Sequence, residues 1–240
     1  SDAILPILVA SGIHLTQLSI TRSIRLARDH HVETMAQIVR QNDRLEHFKL
    51  VDPEIGDDGT IALDPLLQAL AQAPELQSVD ITLFRSDQTT AILSPEVLRE
   101  LVSSPNLTSL SLWGCGLTNA HLDILMGTRL QFLSLRRNCI TDWDTFYYSL
   151  ETNYFLKALY NDDADVMIDH PILPKHTVTE STAAVCCAEL CLALNRWGRQ
   201  NLVTLSDVVE CLESLTDSPA AMYFVVTQAM PIWLPNTLSS

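Results

Sequence analysis

Apolar side chains recur along the first two thirds of the chain in a fixed local pattern. Leu107, Leu110, Leu112 and Leu117 hold the first, fourth, sixth and eleventh places of one segment, with Cys115 at the ninth. Leu130, Leu133, Leu135 and Ile140 repeat the spacing, with Asn138 in the Cys place. Partial copies begin at Leu15, Leu45 and Leu76, and a decayed one at Leu156. Alternation of apolar and polar residues through places three to seven is the signature of a strand buried on one face. The starting leucines are separated by 30, 31, 31, 23 and 26 residues.

Those intervals leave room for a helix between strands. Asp64–Pro65 opens one as a cap followed by Pro at the first helical position, and Ser94–Pro95 repeats the device. Val32 to Val39 has apolar residues at helical spacing, and Thr118 to Met126 puts Leu122, Leu125 and Met126 on one face. Pro74 and Pro105 return the chain from helix to strand.

Self-similarity at this period predicts units that bury their inner faces only against their neighbours. The chain resembles leucine-rich repeat proteins, specifically the strand–helix kind of the ribonuclease inhibitor type, over about residues 12 to 165. That resemblance implies an α/β leucine-rich repeat solenoid of five or six units. Its strands run parallel, its helices lie on the convex side, and the Asn or Cys at the ninth place turns inward to bond backbone in the bend.

The pattern fades after Asn161, dividing the chain into a solenoid over 1–165 and a helical C-terminal cap over 166–240. Thr177 to Glu180 reads as a capping box ahead of the apolar run Ala183 to Leu194. Ser206 to Leu215 and Ser218 to about Met230 follow as two more helices. An open solenoid end needs such a cover. The run from Ala183 to Leu194 has 12 residues, short of the ~20 a bilayer requires, so no transmembrane segment is expected.

Composition narrows the function. Of 240 residues, 15 are Lys or Arg and 29 Asp or Glu, for a net charge of -14. Residues 1–50 carry net +1, 51–170 net -12 and 171–240 net -3. A body this acidic does not grip nucleic acid phosphates over a broad face. Seven glycines and no phosphate-loop motif argue against nucleotide binding. Six scattered cysteines in a chain with an ample apolar core predict thiols in a reducing, intracellular compartment, with the organelle left open. Asp162, Asp163, Asp165 and Asp169 lack the order of a calcium loop. Cys187 and Cys191 share a helical face without a second ligand pair. No metal, cofactor or catalytic residue is expected.

The register of the repeat yields the candidate site. The places between core leucines face the concave side, and equivalent places form ladders along the stack. One column reads Ser19, Lys49, Asp80, Ser111, Ser134, Tyr160, and another Thr21, Val51, Thr82, Trp113, Arg136, Asp162. Trp113, Phe132, Arg136 and Tyr160 thereby gather toward the C-terminal end of that face, led by Trp113 and Arg136. Trp, Tyr and Arg are residue types enriched at interface hot spots. With Lys49 and Asp80 those four are the expected protein-binding residues. The expectation is a non-enzymatic protein–protein scaffold, an adaptor or structural subunit whose partner is another protein, alone or within a large assembly. The alternatives are a cysteine-dependent hydrolase, or the substrate-recognition part of a ubiquitin-ligase adaptor whose effector domain lies outside this chain.

Overall fold

The computed structural model describes residues 14–21, 25–26, 29–55, 60–83, 90–150 and 152–160, together with 188, 191, 192 and 195. The elements run in chain order as strand β1 (Gln17–Thr21), β2 (Arg25–Leu26), helix α1 (Asp29–Arg40), β3 (His47–Val51), β4 (Glu54–Ile55) and β5 (Thr60–Ala62). Then come α2 (Asp64–Ala71), β6 (Ser78–Thr82), β7 (Thr90–Ile92), α3 (Pro95–Val102) and β8 (Ser109–Trp113). Helix α4 (Asn119–Met126), β9 (Phe132–Ser134), α5 (Trp143–Ser149) and β10 (Ala158–Tyr160) complete them. The class is mixed α/β.

Six strands form one parallel, open sheet in the order β1-β3-β6-β8-β9-β10, so each long unit adds its strand beside the last. Parallel strands need a crossover between them, and here each crossover holds a helix. The register matches apolar residue to apolar residue across the stack: Leu18, Phe48, Val79, Leu110, Leu133 and Leu159 form one ladder. Ile20, Leu50, Ile81 and Leu112 form the next. From Leu45 to Leu135, no side chain at the first, fourth or sixth place is more than 3% exposed. Each such leucine, isoleucine or phenylalanine contributes about 1.5–3 kcal/mol by leaving water. The intervening residues of β1 are exposed in strict alternation.

The helices pack in succession, α1 on α2, α2 on α3, α3 on α4 and α4 on α5. Their buried faces join the strand ladders in one core. The extra length of the early units also builds two short parallel pairs absent from the sequence reading, β2 with β4 and β5 with β7.

Two helix starts differ from expectation. Asp64 does not cap α2: its carboxylate accepts from the Ser94 backbone N–H at 2.8 Å and from the Ser94 hydroxyl. The same hydroxyl is thereby withdrawn from capping α3. The pair spans 30 residues and ties the start of one helix to the start of the next. Pro65 and Pro95 still sit in the first helical turn, where a missing N–H costs nothing.

The bends after the strands hold the predicted ninth-place contacts. Asn138 Nδ2 donates to the carbonyls of Leu112 (2.7 Å), Leu135 (2.8 Å) and Arg136 (3.3 Å), while its Oδ1 accepts from the Leu117 N–H at 3.1 Å. The Cys115 thiol faces the Ile81 carbonyl at 3.7 Å and that of Trp113 at 3.6 Å. The eighth place takes a left-handed backbone in three units, at Asp52 (φ 50°), Gly114 (φ 69°) and Arg137 (φ 54°).

Polar side chains also close the ends of units. Buried Asn42 accepts from Leu15 N–H and donates to Ile38 C=O, both at 2.6 Å. Asn153 holds the same place before Leu156. It donates to Met126 and Thr128 carbonyls and accepts from Phe155 and Leu156 N–H groups. Ala188, Cys191, Leu192 and Asn195 are helical, buried and spaced along one helical face. Asn195 Nδ2 donates at 2.7 Å to both Asn153 and Leu156 carbonyls, so this face meets the last described unit. The remaining features expected between 161 and 240 lie outside the described residues, including the acidic cluster, the capping box at Thr177, Cys187 and the later helices.

Candidate functional site

The alternation that buries the leucines leaves places three, five and seven of each strand on the opposite face of the sheet. Side chains there lie on the side away from the leucine core because the strand period is two. The register sets Lys49 beside Asp80 and Asp80 beside Ser111, with Ser134 and then Tyr160 continuing the row. Val51, Thr82 and Trp113 form the parallel row. Arg136 follows Trp113 in that row, and the strand line extends past β8 through a bond from Gly114 N–H to the Arg136 carbonyl at 2.9 Å.

This face carries a trough of about 500 Å³. All six residues expected to bind protein line it: Lys49, Asp80, Trp113, Phe132, Arg136 and Tyr160. Its floor is small, because Ser109, Ser111 and Ser134 sit between the larger rims. A volume of this size falls within the roughly 300–1,000 Å³ of ordinary ligand sites.

At one end of the trough, aromatic rings and guanidinium groups interleave. The Arg136 guanidinium carbon lies 6.0 Å from the Trp113 ring centroid and 5.6 Å from that of Tyr160. Arg137 approaches the Trp113 ring at 5.7 Å, a partner the repeat pattern did not suggest. The left-handed backbone at Arg137 turns the chain so that two successive arginines attend one indole. Phe132 and Tyr160 meet with centroids 5.2 Å apart and planes tilted by 40°. They touch because Tyr160 lies opposite Ser134 and so stands diagonal to Phe132, within reach of an aromatic side chain.

At the other end, Lys49 Nζ lies 2.8 Å from Asp80 Oδ2, and the Thr82 hydroxyl donates to the other carboxylate oxygen at 3.2 Å. The lysine side chain is 48% exposed. Such a pair contributes at most about 1 kcal/mol to stability, so its place is explained by the surface it presents more than by the fold it supports.

A second hollow of about 680 Å³ lies between the C-terminal ends of α3 and α4, lined by Arg99, Pro105, Asp123, Ile124 and Arg129 among others. None of the six expected protein-binding residues lines it. His121, in the first turn of α4, is buried. The Thr118 N–H donates to its Nδ1 and its Nε2–H donates to the Leu93 carbonyl, each at 3.0 Å, which fixes a neutral tautomer in a structural role. Cys115 and Cys191 are buried and Cys139 is exposed. Among the described residues, no three His, Cys, Asp or Glu side chains converge in a way that would hold a metal ion. No helix among them is long and apolar enough to cross a membrane.

No family model matches the chain, and no curated protein does. Among solved structures it is similar to leiomodin-1 actin-binding site 2 (ABS2), with a TM-score of 0.40 and 13% sequence identity, covering 89% of this chain and 96% of that one. At that degree of likeness, neither a shared mechanism nor a shared partner follows for this chain.

Proposed function

We propose that the protein is a leucine-rich repeat solenoid of the ribonuclease inhibitor type, closed by a helical cap within residues 166–240, and that it works as a protein–protein interaction module. The observation that carries this reading is the trough: the solvent face of the repeated strands gathers Trp113, Phe132, Arg136 and Tyr160 around a floor of serines. None of these side chains fills the leucine core behind the sheet. Large aromatics and an arginine held half-buried on an open face are the usual anchors of a protein interface. The sequential parallel order and the ninth-place contacts of Asn138 support the repeat reading.

The module acts without chemistry of its own, as an adaptor or as a fixed subunit of an assembly. Replacing Trp113 with Ala tests this. Partner binding weakens by about 2 kcal/mol or more, roughly 30-fold, while the thermal midpoint stays put. A fall of several degrees with unchanged binding would make Trp113 a stability contact and remove the trough from the function. A thiol-reagent titration addresses the alternative of a cysteine hydrolase. A scaffold reacts at the ordinary rate at exposed Cys139, whereas a single hyper-reactive thiol favours the enzyme.

A further inference from the structure

The protein carries a net charge of -14, yet among the described residues the outward places of its six-stranded sheet hold a single carboxylate, Asp80. That one is already engaged by Lys49 and by the Thr82 hydroxyl. Acidity has been kept off this face, although it dominates the rest of the repeat body. Arg136 stands at the opposite end of the trough, and among the described residues no carboxylate forms an ion pair with it. Instead its guanidinium is held by the rings of Trp113 and Tyr160.

Contact through ring faces has a chemical consequence. It immobilises the guanidinium and uses its π surface, but the N–H donors lie in the plane of the group and remain available. A planar fork fixed in this way matches a carboxylate through two parallel hydrogen bonds, which are about twice as strong as neutral ones. The serine floor keeps the approach open and adds hydroxyl donors.

Resting on the interaction reading above, we infer that the trough receives a short acidic segment of a partner protein. A Glu or Asp carboxylate of that segment seats on Arg136, and its neighbouring apolar side chains lie against Trp113 and Phe132. A single-stranded nucleic acid could also stack on these rings. The peptide is favoured because the acidic body repels a continuous polyanion, whereas a peptide brings one carboxylate to the Arg136 guanidinium.

The test uses the full chain and fluorescein-labelled pools of short peptides, random except for a central residue that is Glu, Gln or Lys. Fluorescence anisotropy is expected to give at least ~10-fold tighter binding of the Glu pool, weakening as salt is raised. Arg136→Gln should abolish the preference and Arg136→Lys should restore part of it, with the circular dichroism spectrum unchanged in both. Equal binding of all pools, or a preference that survives Arg136→Gln, overturns the inference and leaves the Trp113 test of the interaction module standing. Tighter binding of a labelled oligouridine than of the Glu pool, lost in Arg136→Gln, overturns it in favour of nucleic acid. The column holding Arg136 continues in sequence to Asp162, so Asp162→Asn is measured in parallel. Affinity for the Glu pool that appears only in that variant would assign Arg136 to an internal ion pair and refute the proposal.

Discussion

Replacing Asn138 with Ala should be among the most damaging single changes to a polar residue in this protein. The side chain makes four contacts with backbone groups of the bend. Two of them, to the Leu112 and Leu135 carbonyls, are short at 2.7 and 2.8 Å. The Leu117 N–H donates to its Oδ1 at 3.1 Å, and the fourth contact is long at 3.3 Å. Each good bond contributes about 1 kcal/mol net, and the bend is only half-buried, so water recovers part of the loss. The expected cost is about 2–3 kcal/mol, or a fall in thermal midpoint of roughly 4–12 °C for a chain of this size. Asn138→Asp should cost more, because it places a carboxylate oxygen against two carbonyl oxygens. Cys115→Ala should cost less than Asn138→Ala, since the thiol reaches its carbonyls only at 3.6 and 3.7 Å. Urea unfolding followed by circular dichroism measures all three, provided the slope m is unchanged between variants. A loss below about 0.5 kcal/mol for Asn138→Ala, or an Asp variant as stable as wild type, would refute the account of the bend.

Asp64→Ala and Ser94→Ala should show a coupling above ~0.5 kcal/mol in a double-mutant cycle, because the carboxylate binds the next unit's Ser94 and not its own helix. Additive effects would return Asp64 to an ordinary helix-start role. Gly114→Ala should cost about 1–2 kcal/mol by urea unfolding, since the position requires φ of 69°. A neutral outcome would mean that the bend relaxes at no expense.

The strands of the six-stranded sheet, their register and most of the helices were legible from residues alone, and the reason is local. A residue's side in a strand follows from a period of two, and equivalent places in successive copies must align if each unit is to bury the next. The same arithmetic brought Trp113 next to Arg136 and Lys49 next to Asp80, whereas the inward turn of Asn138 was implied by the resemblance to leucine-rich repeat proteins. Only the folded chain decided the contacts that cross units off the ladder. Asp64 reached forward to Ser94, and Tyr160 met Phe132 on the diagonal. Arg137 joined the indole through a left-handed backbone that a bulky residue seldom adopts. Helix α5 carries no leucine stripe; it is anchored by buried Trp143, Phe146 and Tyr147. Its start is marked by Asp142, which accepts from Thr145, a local signal that period counting passes over. Asn153 and Asn195 come together across 42 residues. Periodicity states which face a side chain takes, because that is settled by backbone geometry over a few residues. Which distant group meets it there depends on how the units stack and turn, and that was settled by the packing of the whole core.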